Sequence, residues 1–174
     1  MNHLHAYWRM EYIEAPKRED GSGNPFPGLA EARDPAEALR LYRDDATFLL
    51  LNKFPYNAGH LLALPRRAVA DLCDLSAPER TALMDCICLG KTILQKGLNP
   101  DGFNIGFNFG DAGGAGIPQH LHCHIVPRWS GDTNFMPVLG ETRVLPASLE
   151  AMWNRLEPIA RKLAGERSGS PAHA

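Results

Sequence analysis

Gln119-His120-Leu121-His122-Cys123-His124-Ile125-Val126-Pro127 places three of the chain's seven histidines at strict two-residue spacing, with apolar residues between them. Alternation with period two is the pattern of a half-buried strand. Such a strand presents His120, His122 and His124 on one face and turns Leu121, Cys123 and Ile125 into a core. The segment therefore predicts a sheet carrying a row of imidazoles. Just upstream, Gly110-Asp111-Ala112-Gly113-Gly114-Ala115-Gly116 is a loop with little side chain in the way of its amides. A glycine-rich turn followed by imidazoles suits a phosphate site with a nitrogen nucleophile.

The rest of the chain supplies the elements such a sheet needs. Thr47-Phe48-Leu49-Leu50-Leu51 and His60-Leu61-Leu62-Ala63-Leu64 are apolar runs of strand length, separated by the turn-prone stretch from Asn52 to Gly59. Ser76-Ala77-Pro78-Glu79 is a capping box with proline in the first turn. It predicts a helix to about Lys96, ended by Gly97 and Pro100. Phe103, Ile105, Phe107 and Phe109 alternate on one face of a further strand whose other face is Asn and Gly. A second helix is expected from Ala147 to about Leu163, with Leu149, Met152, Trp153 and Leu156 as its stripe and a possible kink site at Pro158. Strands joined by short turns with two segregated helices predict an α+β domain on an antiparallel sheet of about five strands. Its expected bounds are 34–164, with residues 1–33 (aromatic cluster Tyr7, Trp8, Tyr12) as an arm laid over it and 165–174 as a disordered tail.

Composition excludes several classes of function. At 174 residues, 44% hydrophobic and 22% charged, the chain is long enough for one domain with its own core. A net charge of -2 gives no electrostatic argument for nucleic acid or an anionic membrane as partner. No apolar run approaches the roughly 20 residues that span a bilayer. The polar, aromatic N-terminus does not resemble a signal peptide. Cys73, Cys86, Cys88 and Cys123 lack a paired framework, so a cytoplasmic protein with reduced, mostly buried thiols is expected.

Three readings of the histidines compete: satisfied core residues, metal ligands and catalysts. Three on one face beside a glycine loop is unusual for purely structural residues. Two at i and i+2 can share an ion. On a regular strand, however, the Cα atoms of His120 and His124 stand about 13–14 Å apart, too far for all three to chelate one metal. A neutral imidazole can instead attack phosphorus and hold a covalent phosphoramidate, splitting one substitution into two. His122, flanked by imidazoles on both sides, is the natural nucleophile. Its neighbours would supply protons and stabilise phosphate charge, and His60 is placed to join the same face.

His120-Leu121-His122-Cys123-His124-Ile125-Val126 resembles the motif of the histidine triad (HIT) family, His-φ-His-φ-His-φ-φ, and the likeness extends through Asn52, His60, Asn108 and Ala115-Gly116. Arg9-Met10-Glu11-Tyr12-Ile13 and Pro127-Arg128-Trp129 look like the bacterial branch similar to diadenosine tetraphosphate phosphorylases and hydrolases. The resemblance implies a HIT-like fold paired into a homodimer, with a tetramer as the alternative. It implies His122 as the nucleophile that takes a nucleotidyl group from a nucleoside polyphosphate, with His124 and His60 contacting phosphate and His120 as first triad member. It implies Asn52 on a ribose hydroxyl, Leu50 in the base pocket, and Asn108 with the Ala115-Gly116 backbone on phosphate. Trp129 is a candidate substrate contact, core residue or dimer contact. Histidine rather than glutamine at position 124 argues against sugar-nucleotide exchange.

Departures from the family pattern narrow the reading. Many bacterial relatives carry a Cys-x-x-Cys zinc pair and a further histidine where this chain has Asn24, Pro27 and Ala68. Structural zinc is therefore not expected, and no cofactor is required beyond an optional Mg2+ bound with the substrate phosphates. The phosphorylases tend to have Gly-Ser where this chain has Ala115-Gly116, which favours hydrolysis over phosphorolysis. From spacing alone, Asn52 and Asn108 also read as turn or strand-end residues, and the glycine loop as a plain tight turn.

Overall fold

The computed structural model describes residues 23–132 and 146–168. The aromatic cluster Tyr7, Trp8 and Tyr12, the segment Arg9 to Ile13 and positions 169–174 of the expected tail lie outside the described residues. Five strands, β1 (Arg40–Arg43), β2 (Thr47–Leu51), β3 (Leu61–Pro65), β4 (Gly102–Phe107) and β5 (Cys123–Arg128), form one antiparallel sheet in the order β1-β2-β3-β5-β4. A short helix α1 (Phe26–Glu31) and two long ones, α2 (Ala77–Leu98) and α3 (Leu149–Ser168), complete the α+β architecture expected from the sequence.

Register decides what each face of the sheet carries. On β3 and β5, Leu61 pairs with Ile125, Leu62 with His124 and Ala63 with Cys123. Leu61, Ala63, Cys123 and Ile125, with Leu49 and Leu51 of β2, lie in the main core, together with Leu83, Ile93 and Leu94 of α2 and Met152, Leu156 and Ala160 of α3. Phe48, Leu50, Leu62 and Leu64 point the other way and form a second cluster with Phe26 and Ala30 of α1. Both faces of β2 and β3 are thus covered, which is why these strands read as unbroken apolar runs rather than alternating ones.

Helix α2 starts where its capping box predicts: the Ser76 hydroxyl accepts from the Glu79 N–H while the Glu79 carboxylate accepts from the Ser76 N–H. Its end differs. The helix continues through Gly97 to Leu98, and Asn99 takes the left-handed cap with φ 49°. Gly97 is a packing residue, because a Cβ there would lie 2.5 Å from Leu156 Cδ2 of α3. Helix α3 likewise runs to Ser168, past the expected boundary at 164. Strand β4 stops at Phe107, so Phe109 falls outside it, stacks on Phe107 and is 43% exposed. The thiols also divide: Cys86 and Cys123 are buried, whereas Cys73 and Cys88 are exposed.

The short helix α1 is anchored by charge at its C-terminal end, where helix carbonyls lack partners. Arg40 Nη1 donates to Leu29 O (2.9 Å) and Ala30 O (2.7 Å), and Arg40 Nη2 to Ala32 O (3.1 Å). Arg43 and Arg66 both pair with Glu31. Phe26, 5% exposed, is pressed onto the sheet beside the histidines.

Candidate active site

Four histidines meet on the α1 side of the sheet, but not as one regular strand. Only His124 lies within β5; His120 and His122 sit in the non-strand segment before it. The antiparallel register would set Leu121 opposite Pro65, whose nitrogen carries no hydrogen to continue the ladder. Leu121 N–H turns instead to Val69 O (2.6 Å), and Pro65 O accepts from His120 Nε2 (2.8 Å). The rings still form a continuous series. His60 and His124 have centroids 5.1 Å apart, His122 and His124 5.0 Å, and Phe26 lies 5.3 Å from His120 and 5.4 Å from His122.

Backbone partners fix the tautomers of His120, His122 and His60, because a carbonyl can only accept and an amide N–H can only donate, and His60 then fixes that of His124. His120 Nε2 donates to Pro65 O, so its Nδ1 is an acceptor, and it receives Asn24 Nδ2 at 3.1 Å. His122 Nδ1 donates to His120 O at 2.8 Å, which leaves Nε2 as the lone-pair nitrogen. His60 Nδ1 accepts from the Tyr56 N–H at 3.0 Å and faces Asn52 Nδ2 at 3.3 Å. His60 Nε2 therefore donates to His124 Nδ1 at 2.9 Å, and the proton of His124 is on Nε2. Asn108 Nδ2, 3.5 Å away, is itself a donor and cannot accept that proton, which among these neighbours leaves it for a ligand oxygen.

Electrostatics reinforce neutrality. Burial lowers the pKa of His122, partly offset by its bond to the His120 carbonyl. Burial, again partly offset by a carbonyl bond, and the neighbouring His122 lower that of His120. Burial and then His122 push His124 down to about 4. At neutral pH the site holds an uncharged imidazole with its lone pair on Nε2, His122, beside an uncharged N–H donor, His124. Cys123 takes no part: it is buried in the main core, with its thiol pushed up to about 12 by burial.

The other expected residues divide. His60 joins the cluster, fully buried, and Asn52 lies beside it, its Oδ1 accepting from the Phe54 N–H (3.0 Å). Leu50 is on the histidine side of the sheet but only 3% exposed, covered by the α1 cluster. Asn108 Nδ2 lies 3.4 Å from Gly114 O. In the glycine loop, Ala115 N–H donates to Gly110 O and Gly114 N–H to Asp111 O, so these two amides serve the loop itself. Gly113 is required there, since a Cβ would meet Phe109 O at 2.3 Å. Trp129 is half-buried just after β5, its N–H donating to Asp132 Oδ2 (3.1 Å).

Two contributors, Tyr56 and Phe26, were not singled out from the sequence, and a third, Asn24, was noted only as standing where relatives carry a zinc cysteine. Tyr56 is stacked on His124 (22° between planes, 5.4 Å) and tilted on His60 (4.6 Å). Asn24 and Phe26 contact the triad from the arm. The signal for Tyr56 was an aromatic residue in a turn four residues before His60. For Phe26, an Asn-Pro-Phe turn at the arm's edge was the only sign. Asn24, Pro27 and Ala68 offer no thiolate or imidazole to zinc, and both nitrogens of His120 are already engaged, so these residues do not fit that ion. Among the described residues no group of three or more His, Cys, Asp or Glu could hold a metal.

Four imidazoles on one side of an antiparallel sheet, with the His122 Nε2 lone pair unengaged among the described residues, define a histidine-cluster class of site. The HIT domain model matches residues 33–131, more than half of the chain, and the chain belongs to that family. It is 36% identical over 155 residues to AP-4-A phosphorylase of Mycobacterium tuberculosis, covering 86% of this chain and 79% of the relative. It is 33% identical over 98 residues to the asymmetrical bis(5'-nucleosyl)-tetraphosphatase of Schizosaccharomyces pombe, covering 56% of this chain and 53% of that one. Among solved structures, a Zn-bound histidine triad family protein from Mycobacterium smegmatis superposes with a TM-score of 0.65. It is 26% identical, with 83% of this chain and 97% of that chain covered.

Proposed function

We propose that this chain is a nucleotide hydrolase acting on the α-phosphate of diadenosine polyphosphates or related nucleoside polyphosphates. The observation that supports the reading is the 2.8 Å bond from His122 Nδ1 to the His120 carbonyl, which leaves the lone pair on Nε2, where a nucleophile needs it. Nε2 attacks the α-phosphorus; a P–N bond forms as the P–O bond to the leaving nucleotide breaks. His124 Nε2–H, held by the donation from His60, meets developing negative charge on the phosphate oxygens. Water then attacks the nucleotidyl-His122: a P–O bond forms as the P–N bond breaks, the electron pair returns to Nε2, and a nucleoside monophosphate is released.

The likeness to AP-4-A phosphorylase favours a second reading, in which inorganic phosphate replaces water and a nucleoside diphosphate is released. Ala115-Gly116 weighs against it, because neither residue offers a hydroxyl to phosphate. Diadenosine tetraphosphate, incubated with and without phosphate and resolved by ion-exchange chromatography, separates the two. Hydrolysis gives AMP plus ATP in both conditions; phosphorolysis gives ADP plus ATP only with phosphate. Binding without turnover would leave a nucleotide-binding module. The proposal includes a zinc-free enzyme that requires no cofactor, with Mg2+ entering only on substrate phosphates. Homodimerisation is part of it too, supported by the exposed edge of β4, where Asn104, Ile105 and Gly106 face solvent among the described residues.

A further inference from the structure

The mechanism uses the lone pair of His122 but does not explain what keeps the ring beside it neutral and oriented. His120 is fully buried, and its main-chain carbonyl is the group that fixes the tautomer of His122. Its own ring is held at both nitrogens: Nε2–H on Pro65 O at 2.8 Å, and Nδ1 facing Asn24 Nδ2 at 3.1 Å. The other end of the Asn24 carboxamide accepts the Phe26 N–H at 3.2 Å, forming a turn that sets the Phe26 ring against both His120 and His122. One side chain from the arm thus touches the triad through a donor and shapes its own loop through an acceptor. A protonated His120 would need an acceptor at Nδ1, and the carboxamide, whose oxygen is already taken, presents a donor.

We propose that Asn24 is a positioning residue: its amide N–H holds His120 in the Nε2–H tautomer and so seats the nucleophilic His122, where no zinc can be bound. This rests on His122 as the nucleophile. The donor and acceptor roles of Asn24 can be separated, because Asn24→Asp has the same shape. A carboxylate still accepts the Phe26 N–H and keeps the turn, but offers Nδ1 of His120 an acceptor in place of a donor. That change favours a doubly protonated His120 and places a positive charge beside His122.

The experiment combines long-range 1H–15N correlation spectra of the histidine rings at pH 7.5 with steady-state kinetics on diadenosine tetraphosphate, for the wild-type full chain, Asn24→Asp and Asn24→Ala. The expected spectra show His120 protonated at Nε2 only in the wild type and at both nitrogens in Asn24→Asp. Expected kinetics are a kcat at least tenfold lower in Asn24→Asp, with KM within about twofold and an unchanged melting temperature. Asn24→Ala should lose activity too, with a lower melting temperature because the turn is also lost. An Asn24→Asp protein with His120 still neutral and wild-type kcat overturns the proposal. The spectra read the His120 tautomer whether or not this substrate is turned over, so a wrong substrate assignment and a failed positioning role give different results.

Discussion

At the scale of single residues, the reactive state of the site is set by protons rather than by the presence of histidines. His122 is depressed below the ordinary imidazole range mainly by burial. A base needed in its neutral form loses activity as pH falls through its own pKa, so the acid limb of kcat/KM should have its midpoint below 6.5, measured from pH 4.5 to 8.5. Stability carries the same sign. His120, His122 and His124 are all held down in the folded chain, so each contributes fully above about 6.5, the unfolded value. That contribution is lost as pH falls towards about 4, the value for His124, so the melting temperature should drop across this window. A midpoint above 6.5 or a melting temperature flat across it would contradict this account. The closeness of the His122 ring to its triad neighbours was legible in the sequence because they are two positions away. The tautomers were not: they depend on Pro65 O, 55 residues from His120, and on the Tyr56 amide in a turn without regular structure.

Among elements, the helix ends show where local rules suffice and where packing overrides them. The start of α2 was legible because a capping box is a local device; Ser76→Ala should cost about 1 kcal/mol in urea unfolding. Its end was not, because Gly97 answers to Leu156 on another helix and not to a helix stop. Gly97→Leu forces α2 and α3 apart and should cost roughly 1–3 kcal/mol by the same measurement, despite leucine's better helix propensity. A neutral or stabilising result would show that the contact yields. The histidine strand was half legible for a comparable reason. Alternation alone extends it from His120, whereas Pro65 ends the pairing at Cys123.

Across the whole molecule, the sheet is a partition between a packing side and a chemical side. Helices α2 and α3 cover one face; α1 and the imidazoles occupy the other. Sequence periodicity reported the first face well along β5, where Cys123 and Ile125 are buried, but only in part along β4, where Phe103 and Phe107 are half-buried and Ile105 is exposed. It could not report α1, a six-residue helix held by Arg40, Arg43 and Arg66 from distant positions. The flank of β4 that pairs with no described strand is the place where a second copy would add strands, as exposed edges invite pairing. Ile105, 43% exposed on that strand, is the residue to test. Ile105→Glu should shift a sedimentation-velocity dimer towards monomer, and a wild-type chain that sediments as a monomer would contradict the dimer.

In the proposed reaction, Nε2 of His122 makes the bond to phosphorus. The most direct test of that step is the turnover number of His122→Ala on diadenosine tetraphosphate, with circular dichroism to verify the fold. A loss of about a thousandfold or more, with the fold intact, is the predicted result for an essential nucleophile. A folded His122→Ala protein that turns over at the wild-type rate would contradict it.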